Sequence, residues 1–528
     1  MIERDDHYGV PEVRHRKCRT TRRKFLKSTA AIAASMSMPR CILAADTVPA
    51  TPMATDLTQM PATDLAAMAR SREVSARELL EAHISRIERI NPVINAIVCK
   101  PFEFARNQAD AADKALAKGG CEVTERPLLG VPVTIKDAFD VQGLPTVCGV
   151  PLRQNHVAES SATAVRKLTE AGAIVLGKTN LPSLCMHFET DNAVFRRTQN
   201  PYDLERTPGG SSGGEAAIIA ACGSPLGLGT DGGGSIRTPA AFCGIAGIRP
   251  GWGRVSLAGT FPAPPQANGN YYTAGPLARR VKDLDLALRV ISGQDPRDPF
   301  TFPVPLDDYR KVQLKQLRVA YWNHYIPAKT DKSTCDTVTA AAGFLSNCVR
   351  EVSEVCPPLW NHAELILKAL YDNEIATFDA VLKDFGVSTP CPVDEAAIAY
   401  ARKNSANRLP DNEAKSVIGD LLPRFQVSML EFLEKFDVFL CPVCAVPAVP
   451  HNTSWSQIDV FGFTLATSMI PKVPAGSVRC GWSEENLPIG VQVVSKPYRE
   501  DIVLAVMEAL ECEFGGWKPA PERNLITT

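Results

Sequence analysis

Short apolar runs alternating with stretches of helical period are what most constrains this chain. Residues 128–136 (LLGVPVTIK) predict a buried strand, as do 173–176 and 225–228. Helices are expected around them at 101–118, ended by Gly119-Gly120, and at 162–171 and 214–221. An earlier helix opens on the capping box Ser75-Ala-Arg-Glu78 and carries Leu80, Ile84 and Ile87 on one face. It is expected to stop at Asn91-Pro92. Strands alternating with helices call for an α/β fold on a parallel or mixed sheet covered by helices. No internal repeat is visible. Residues 300–430 read as more helical, carry no chemical motif, and are expected to cover the sheet or shape a pocket.

A chain of 528 residues that is 45% hydrophobic can bury a large core without covalent staples. Its 16 cysteines are too sparse to replace such a core. With 57 Lys and Arg against 58 Asp and Glu, the net charge is −1 and the signs are well mixed, which gives no electrostatic footprint for nucleic acid.

The first 45 residues read as an address, separate from the fold. Thr20-Thr-Arg22-Arg23-Lys-Phe-Leu-Lys27 precedes a modest apolar run, STAAIAASMSM, and then Leu43-Ala44-Ala45. Paired arginines followed by Phe-Leu-Lys and an Ala- and Ser-rich segment resemble a twin-arginine export signal, with cleavage expected near Ala44 or Ala45. Lys27 and Arg40 bracket only about a dozen residues, short of the roughly 20 that a membrane anchor needs. The twin-arginine translocase is thus an expected partner, and export of the folded protein the expected fate. Residues 46–56, in a stretch rich in Pro, Thr and Ala, read as a linker.

Three short patterns match familiar motifs but lack their mechanics. Gly172-Ala-Ile-Val-Leu-Gly177-Lys178-Thr179 has phosphate-loop spacing, but its middle residues are themselves the strand, and Asn180-Leu-Pro182 follows where a helix should start. Gly209-Gly-Ser211-Ser-Gly213 fits a nucleophile elbow, yet the polar, proline-bounded 200–208 precedes it in place of a strand. His324, His362 and His451 lie in unrelated contexts and complete no triad. Cys441-Pro-Val-Cys444 has prolines at 447 and 450 where a redox helix would run; a disulfide or two buried thiols both fit it.

One constellation carries chemistry. Gly130-Val-Pro-Val-Thr-Ile-Lys136-Asp137 is followed by Gly209-Gly-Ser-Ser-Gly-Gly-Glu-Ala-Ala217 and Gly229-Thr-Asp-Gly-Gly-Gly-Ser-Ile-Arg-Thr-Pro239. With Gly275-Pro-Leu-Ala-Arg279 and Leu487-Pro-Ile-Gly-Val-Gln-Val-Val494, this set closely resembles the amidase signature family over 57–515, most weakly at 300–430. The resemblance implies a single large α/β domain and hydrolysis of a small-molecule amide to acid plus ammonia or amine, with no metal or organic cofactor. It implies Ser235 as nucleophile, Ser211 as bridging serine and Lys136 as base, with a cis peptide at Gly210–Ser211. It assigns an oxyanion hole to the backbone of Gly232, Gly233 and Gly234, and supporting roles to Ser212, Asp231 and Arg237. The run Gly223-Ser-Pro-Leu-Gly-Leu-Gly-Thr-Asp231 is similar to that of fatty acid amide hydrolases, a hint of a lipophilic acyl group.

The physical reading agrees. A serine is a weak nucleophile without a base; no histidine is positioned by motif, and Lys136 ends an apolar strand where desolvation favours its neutral form. Three consecutive glycines leave backbone N–H groups free to converge on one oxygen. Glycine at 232, where many members carry Thr or Ile, is expected to give that loop extra freedom. Two rivals stand beside this reading. One is the glutaminase component of a glutamine-dependent aminoacyl-tRNA amidotransferase (its A chain), against which the export signal argues. The other is a binding protein that keeps the fold without turnover, against which the intact Ser-Ser-Lys set argues.

Overall fold

The computed structural model describes residues 56–262 and 271–526. The expected export signal at 1–45 and all but the last residue of the linker at 46–56 lie outside the described residues. Among those described, eleven strands form one mixed sheet: β1 (Ile97–Cys99), β2 (Pro132–Lys136), β3 (Ile174–Thr179), β4 (Leu226–Asp231), β5 (Ala246–Arg249), β6 (Thr273–Ala278), β7 (Arg318–Tyr321), β8 (Glu351–Glu354), β9 (Val438–Pro442), β10 (Ala475–Trp482) and β11 (Pro488–Ser495). Their order is β1-β3-β2-β4-β6-β5-β10-β11-β9-β7-β8. β2 runs parallel to β3 and β4, and β7 parallel to β8 and β9; the remaining pairs are antiparallel.

The continuous apolar runs reflect burial on both faces of the sheet. Along β3, Val175 enters one core with Val133, Ile135 and Leu228, whereas Ile174 and Leu176 enter another with Ile218, Ile219 and Ile84. Helix Gly213–Ala220 is buried along its whole length between the second core and the sheet, which suits its Gly-Gly-Glu-Ala-Ala-Ile-Ile-Ala sequence. The 300–430 stretch supplies β7, β8 and helices that include Ala363–Ala376, Phe378–Asp384, Pro392–Asn404 and Leu422–Lys435. No helix among the described residues is long and apolar enough to cross a membrane.

Several boundaries differ from expectation. β2 is confined to Pro132–Lys136, because Gly130 (φ 84°) makes a turn whose N–H donates to the Gly172 carbonyl. β3 and β4 run to Thr179 and Asp231, beyond the apolar residues, because neighbouring strands continue to pair with them. Helix Ala76–Ile94 passes through Pro92. The N–H that proline lacks would have met the carbonyl of Glu88, an exposed residue, so the helix survives one further turn. Asn91 then secures the exit: its Oδ1 accepts from the N–H groups of Ala96 (2.9 Å) and Ile97 (2.7 Å), and its Nδ2 donates to Ile97 O (3.0 Å).

Because those partners are buried, Asn91→Ala is expected to cost about 1–3 kcal/mol. Equilibrium denaturation measures it, and a change near zero would mean that Pro92 and Asn95 alone shape this exit.

Candidate active site

Alternation along β2 sends Val133 and Ile135 into one core and turns Thr134 and Lys136 to the other face, where Thr134 Oγ1 donates to Glu215 (2.6 Å). Lys136 is fully buried, with Nζ 2.7 Å from Ser211 Oγ and 2.8 Å from Thr230 Oγ1. Asp137 points the other way. It pairs with Lys178 at 2.7 Å and accepts the N–H groups of Val147 and Cys148. Lys178, the lysine of the phosphate-loop look-alike, is thereby committed to a buried ion pair. Burial pushes Lys136 below the ordinary lysine value, opposed by the nearby Cys185 and Cys148 thiols and by Asp231.

The Gly210–Ser211 peptide is cis, and Ser211 is completely buried. The Ser212 N–H donates to the Ser235 carbonyl (3.1 Å) and the Ser212 Oγ to the Thr230 carbonyl (3.2 Å), so this residue fastens the two serine segments together. Ser235, in contrast, faces a cavity of ≈ 930 Å³.

Asp231 organises the loop that leads to Ser235. It accepts from Gly234 N–H (2.7 Å) and Ile236 N–H (3.1 Å), and takes a two-pronged contact from Arg237 through Nε (3.0 Å) and Nη2 (2.9 Å). Arg237 also reaches Thr467 (2.7 Å) and Ser468 (2.6 Å) on helix Gly462–Ser468. Burial alone would raise the Asp231 carboxyl, but the Arg237 charge and hydrogen bond, with Arg249, hold it down at about 2. Gly234 sits at φ 120°, and a Cβ there would lie 2.6 Å from Thr464 Oγ1.

This geometry corrects the expectation for residues 232–234. The Gly234 N–H is spent on Asp231 and does not face the cavity. The N–H groups of Gly232, Gly233 and Ser235 have no acceptor among the described residues, and all three residues line the cavity. Glycine at 232 is not loose either. Tyr272 packs where a side chain would be, 2.9 Å from an ideal Cβ, and donates its hydroxyl to Thr230 (2.8 Å).

Sequence reasoning passed over Thr230, Tyr272, Cys185 and His187. Thr230 stands inside the Gly-Thr-Asp motif and was open to notice; the others reach the site only through the fold. His187 lines the cavity, but Trp455 Nε1 donates to its Nδ1 (3.0 Å) and its Nε2 faces Asp394 (2.8 Å), so both ring nitrogens are occupied. Phe188, Tyr271, Tyr272, Phe378, Phe385 and Trp455 give the cavity an aromatic wall, and Asp372 and Glu374 sit in it with carboxyls raised by burial. Cys441 and Cys444 lie outside the cavity lining as buried thiols, both pushed up to about 12 by burial. Among the described residues, no cluster of three or more His, Cys, Asp or Glu side chains could hold a metal ion.

A buried lysine–serine contact thus lies next to a second serine that opens on a cavity. The chain belongs to the amidase family, whose sequence pattern it matches over residues 78–504. It is 33% identical over 500 residues to the A chain of the glutamyl-tRNA(Gln) amidotransferase from Acidothermus cellulolyticus, covering 87% of this chain and 95% of that one. It is also 33% identical over 495 residues to human fatty-acid amide hydrolase 2, covering 88% and 91%. A crystal structure of a bacterial aryl acylamidase of the amidase signature family superposes with a TM-score of 0.74 at 27% identity, covering 86% and 96%. The protein is accordingly an amidase-family hydrolase of carbon–nitrogen amide bonds on a single α/β domain.

Asp231→Asn would leave Arg237 buried without its counter-charge, an expected loss of about 3–5 kcal/mol. The Asp231 carboxyl is depressed when folded, so its contribution is present above the unfolded value of about 3.9 and is lost as pH falls through about 2. Denaturation of wild type and variant across acidic pH tests this: the gap should close at the acid end, and parallel curves would contradict the assignment.

Proposed function

We propose that the protein hydrolyses an amide through an acyl-enzyme on Ser235, with Ser211 and Lys136 as its proton relay. One observation carries the assignment of roles: Ser211 is sealed against Lys136 while Ser235 faces the cavity, so only Ser235 can meet a substrate carbonyl. Neutral Lys136 takes a proton through Ser211 from Ser235 as Ser235 attacks. The N–H groups of Gly232, Gly233 and Ser235 receive the oxyanion. Ser211 returns the proton to the departing ammonia or amine, and water then releases the acid. The aromatic wall supports a substrate with a sizeable apolar group, in keeping with the names of the aryl acylamidase and fatty-acid amide hydrolase relatives.

The amidotransferase relative supports a second reading, in which the amide is glutamine and ammonia passes to another protein. The twin arginines at 22 and 23 favour export, and with it a self-contained hydrolase. Replacing both arginines with lysine should hold the precursor in the cytoplasm with its activity intact, as fractionation and assay would show. Normal export of the double variant would rule the signal out.

Ser235→Ala should lower kcat by about 10⁴ or more, and a fluorophosphonate adduct should map to Ser235. An adduct on Ser211 would reverse the two roles. Since only unprotonated Lys136 accepts a proton and its value is depressed, the rate should fall as pH drops through that value, giving an acid limb in kcat/KM. Lys136→Ala should remove the limb with most of the rate, and Lys136→Arg should not restore it, because guanidinium stays charged. The pH–rate profiles of both variants on one aryl and one fatty-acyl amide decide the matter; near-wild-type turnover by Lys136→Arg would make Lys136 a structural cation.

A further inference from the structure

Cys148 and Cys185 come from separate segments, yet their sulfurs lie 4.0 Å apart at the wall of the cavity. The approach is anchored by the backbone. The Leu184 N–H donates to the Cys148 carbonyl (3.1 Å), and the Cys148 N–H donates to Oδ2 of Asp137 (2.9 Å), the residue after Lys136. Cys148, Leu184 and Cys185 all have positive φ (50°, 54° and 64°), a region that side-chain-bearing residues seldom occupy unless the surrounding fold holds them there. Cys148 is buried against Ala138 and Leu181, whereas Cys185 is half-buried and lines the cavity, where a small solute can reach it.

The Cys185 thiol also interacts with Lys136, Tyr272 and Ser211. The hydrogen bond with Cys148, and then the charge of Lys136, hold it below the ordinary thiol value against the effect of burial. A thiolate is the reactive form in exchange with disulfides. Neither the proposed relay nor the cavity's aromatic wall gives this pair anything to do.

We propose that Cys148 and Cys185 are an oxidisable pair that closes into a disulfide beside Lys136 on meeting a small-molecule disulfide. The Cys185 thiolate attacks one sulfur of RSSR, forming a mixed disulfide and releasing RS⁻. The Cys148 sulfur then attacks Cys185 Sγ and expels a second RS⁻. The Cys148 proton leaves with one thiolate, and a solvent proton neutralises the other. The protein loses two electrons to RSSR, which departs as two RSH. The sulfurs must close from 4.0 Å to about 2 Å for the bond to form.

The groups that face Lys136 are Ser211, Thr230, Cys185 and Cys148, with Asp231 and Glu215 acting through charge. Among them Cys185 most favours the protonated lysine. Closing the disulfide removes that negative charge, so Lys136 releases its proton more readily and the acid limb moves to lower pH. This consequence rests on the Lys136 relay; the disulfide itself does not.

The test uses the intact chain treated with bis(2-hydroxyethyl) disulfide, then digested without reduction for mass spectrometry. The expected result is a peptide linking Cys148 to Cys185, reversed by dithiothreitol. In Cys148→Ala the reaction should stop at a single mercaptoethanol adduct on Cys185. The oxidised wild type should show its acid limb displaced to lower pH by about half a unit or more, and the same protein reduced again with dithiothreitol should show the undisplaced limb. Absence of the linkage in folded protein, or linkage confined to Cys441 and Cys444, overturns the pair. A linked protein whose limb does not move overturns its coupling to Lys136. A linked protein that hydrolyses no amide keeps the pair and overturns the relay.

Discussion

The site depends on a lysine buried without a carboxylate. Lys136 sits at the end of a strand whose alternate residues fill the core, and its amine meets two hydroxyls, of Ser211 and Thr230. An ion pair there would hold the proton in place. The obvious candidate, Asp137, is removed by the pleat of β2 and neutralised by Lys178 on the opposite face. Asp231, which also acts on the lysine, is spent on Arg237, and Glu215 accepts from Thr134 and Thr179, where burial pushes its carboxyl up to about 8 and disfavours the charged form. A basic amine in the interior is expensive, and here the sheet geometry maintains it.

The second requirement is a rigid loop, and Asp231 supplies it with Arg237. Asp231 gathers the N–H groups of Gly234 and Ile236, and Arg237 carries the same carboxylate to helix Gly462–Ser468. Glycines at 232 and 233 are therefore held by contacts at either end of their segment, with Tyr272 packed over Gly232. The N–H groups that remain unspent are the ones turned to the cavity.

Much of this was legible in the sequence, for physical reasons that differ by element. β2, β3 and β4 are continuous apolar runs because both their faces are covered, and Ser75 to Glu78 caps a helix by a strictly local bond. The serines and the lysine were legible through the resemblance of their segments to the amidase signature family, since taken singly each also suits a tight turn, a helix cap or a strand end. β8 (Glu-Val-Ser-Glu) was not legible, since a short edge strand with exposed ends has no apolar signature. The shortened β2 and the helix running past Pro92 depend on partners distant in the chain. Tyr272, Cys148 and Cys185 join the site only because strands and turns bring them there, and the spending of the Gly234 N–H is a matter of loop geometry that composition does not encode.

The cavity has a divided origin. Its floor, with Ser235 and the glycines, belongs to the loop that follows β4, whereas much of its wall comes from helices Ala363–Ala376, Phe378–Asp384 and Pro392–Asn404. The two parts meet at Asp394, which holds Ser183 and His187 and so reaches the segment bearing Cys185. The residues of the proposed relay and the wall of the cavity thus come from different stretches of the chain, and this buried aspartate joins them alongside the edge contact of His187 with Phe378. Inheritance can revise the helical wall to suit a new acyl or amine group while the proposed relay beneath stays fixed, provided that moorings of this kind are kept.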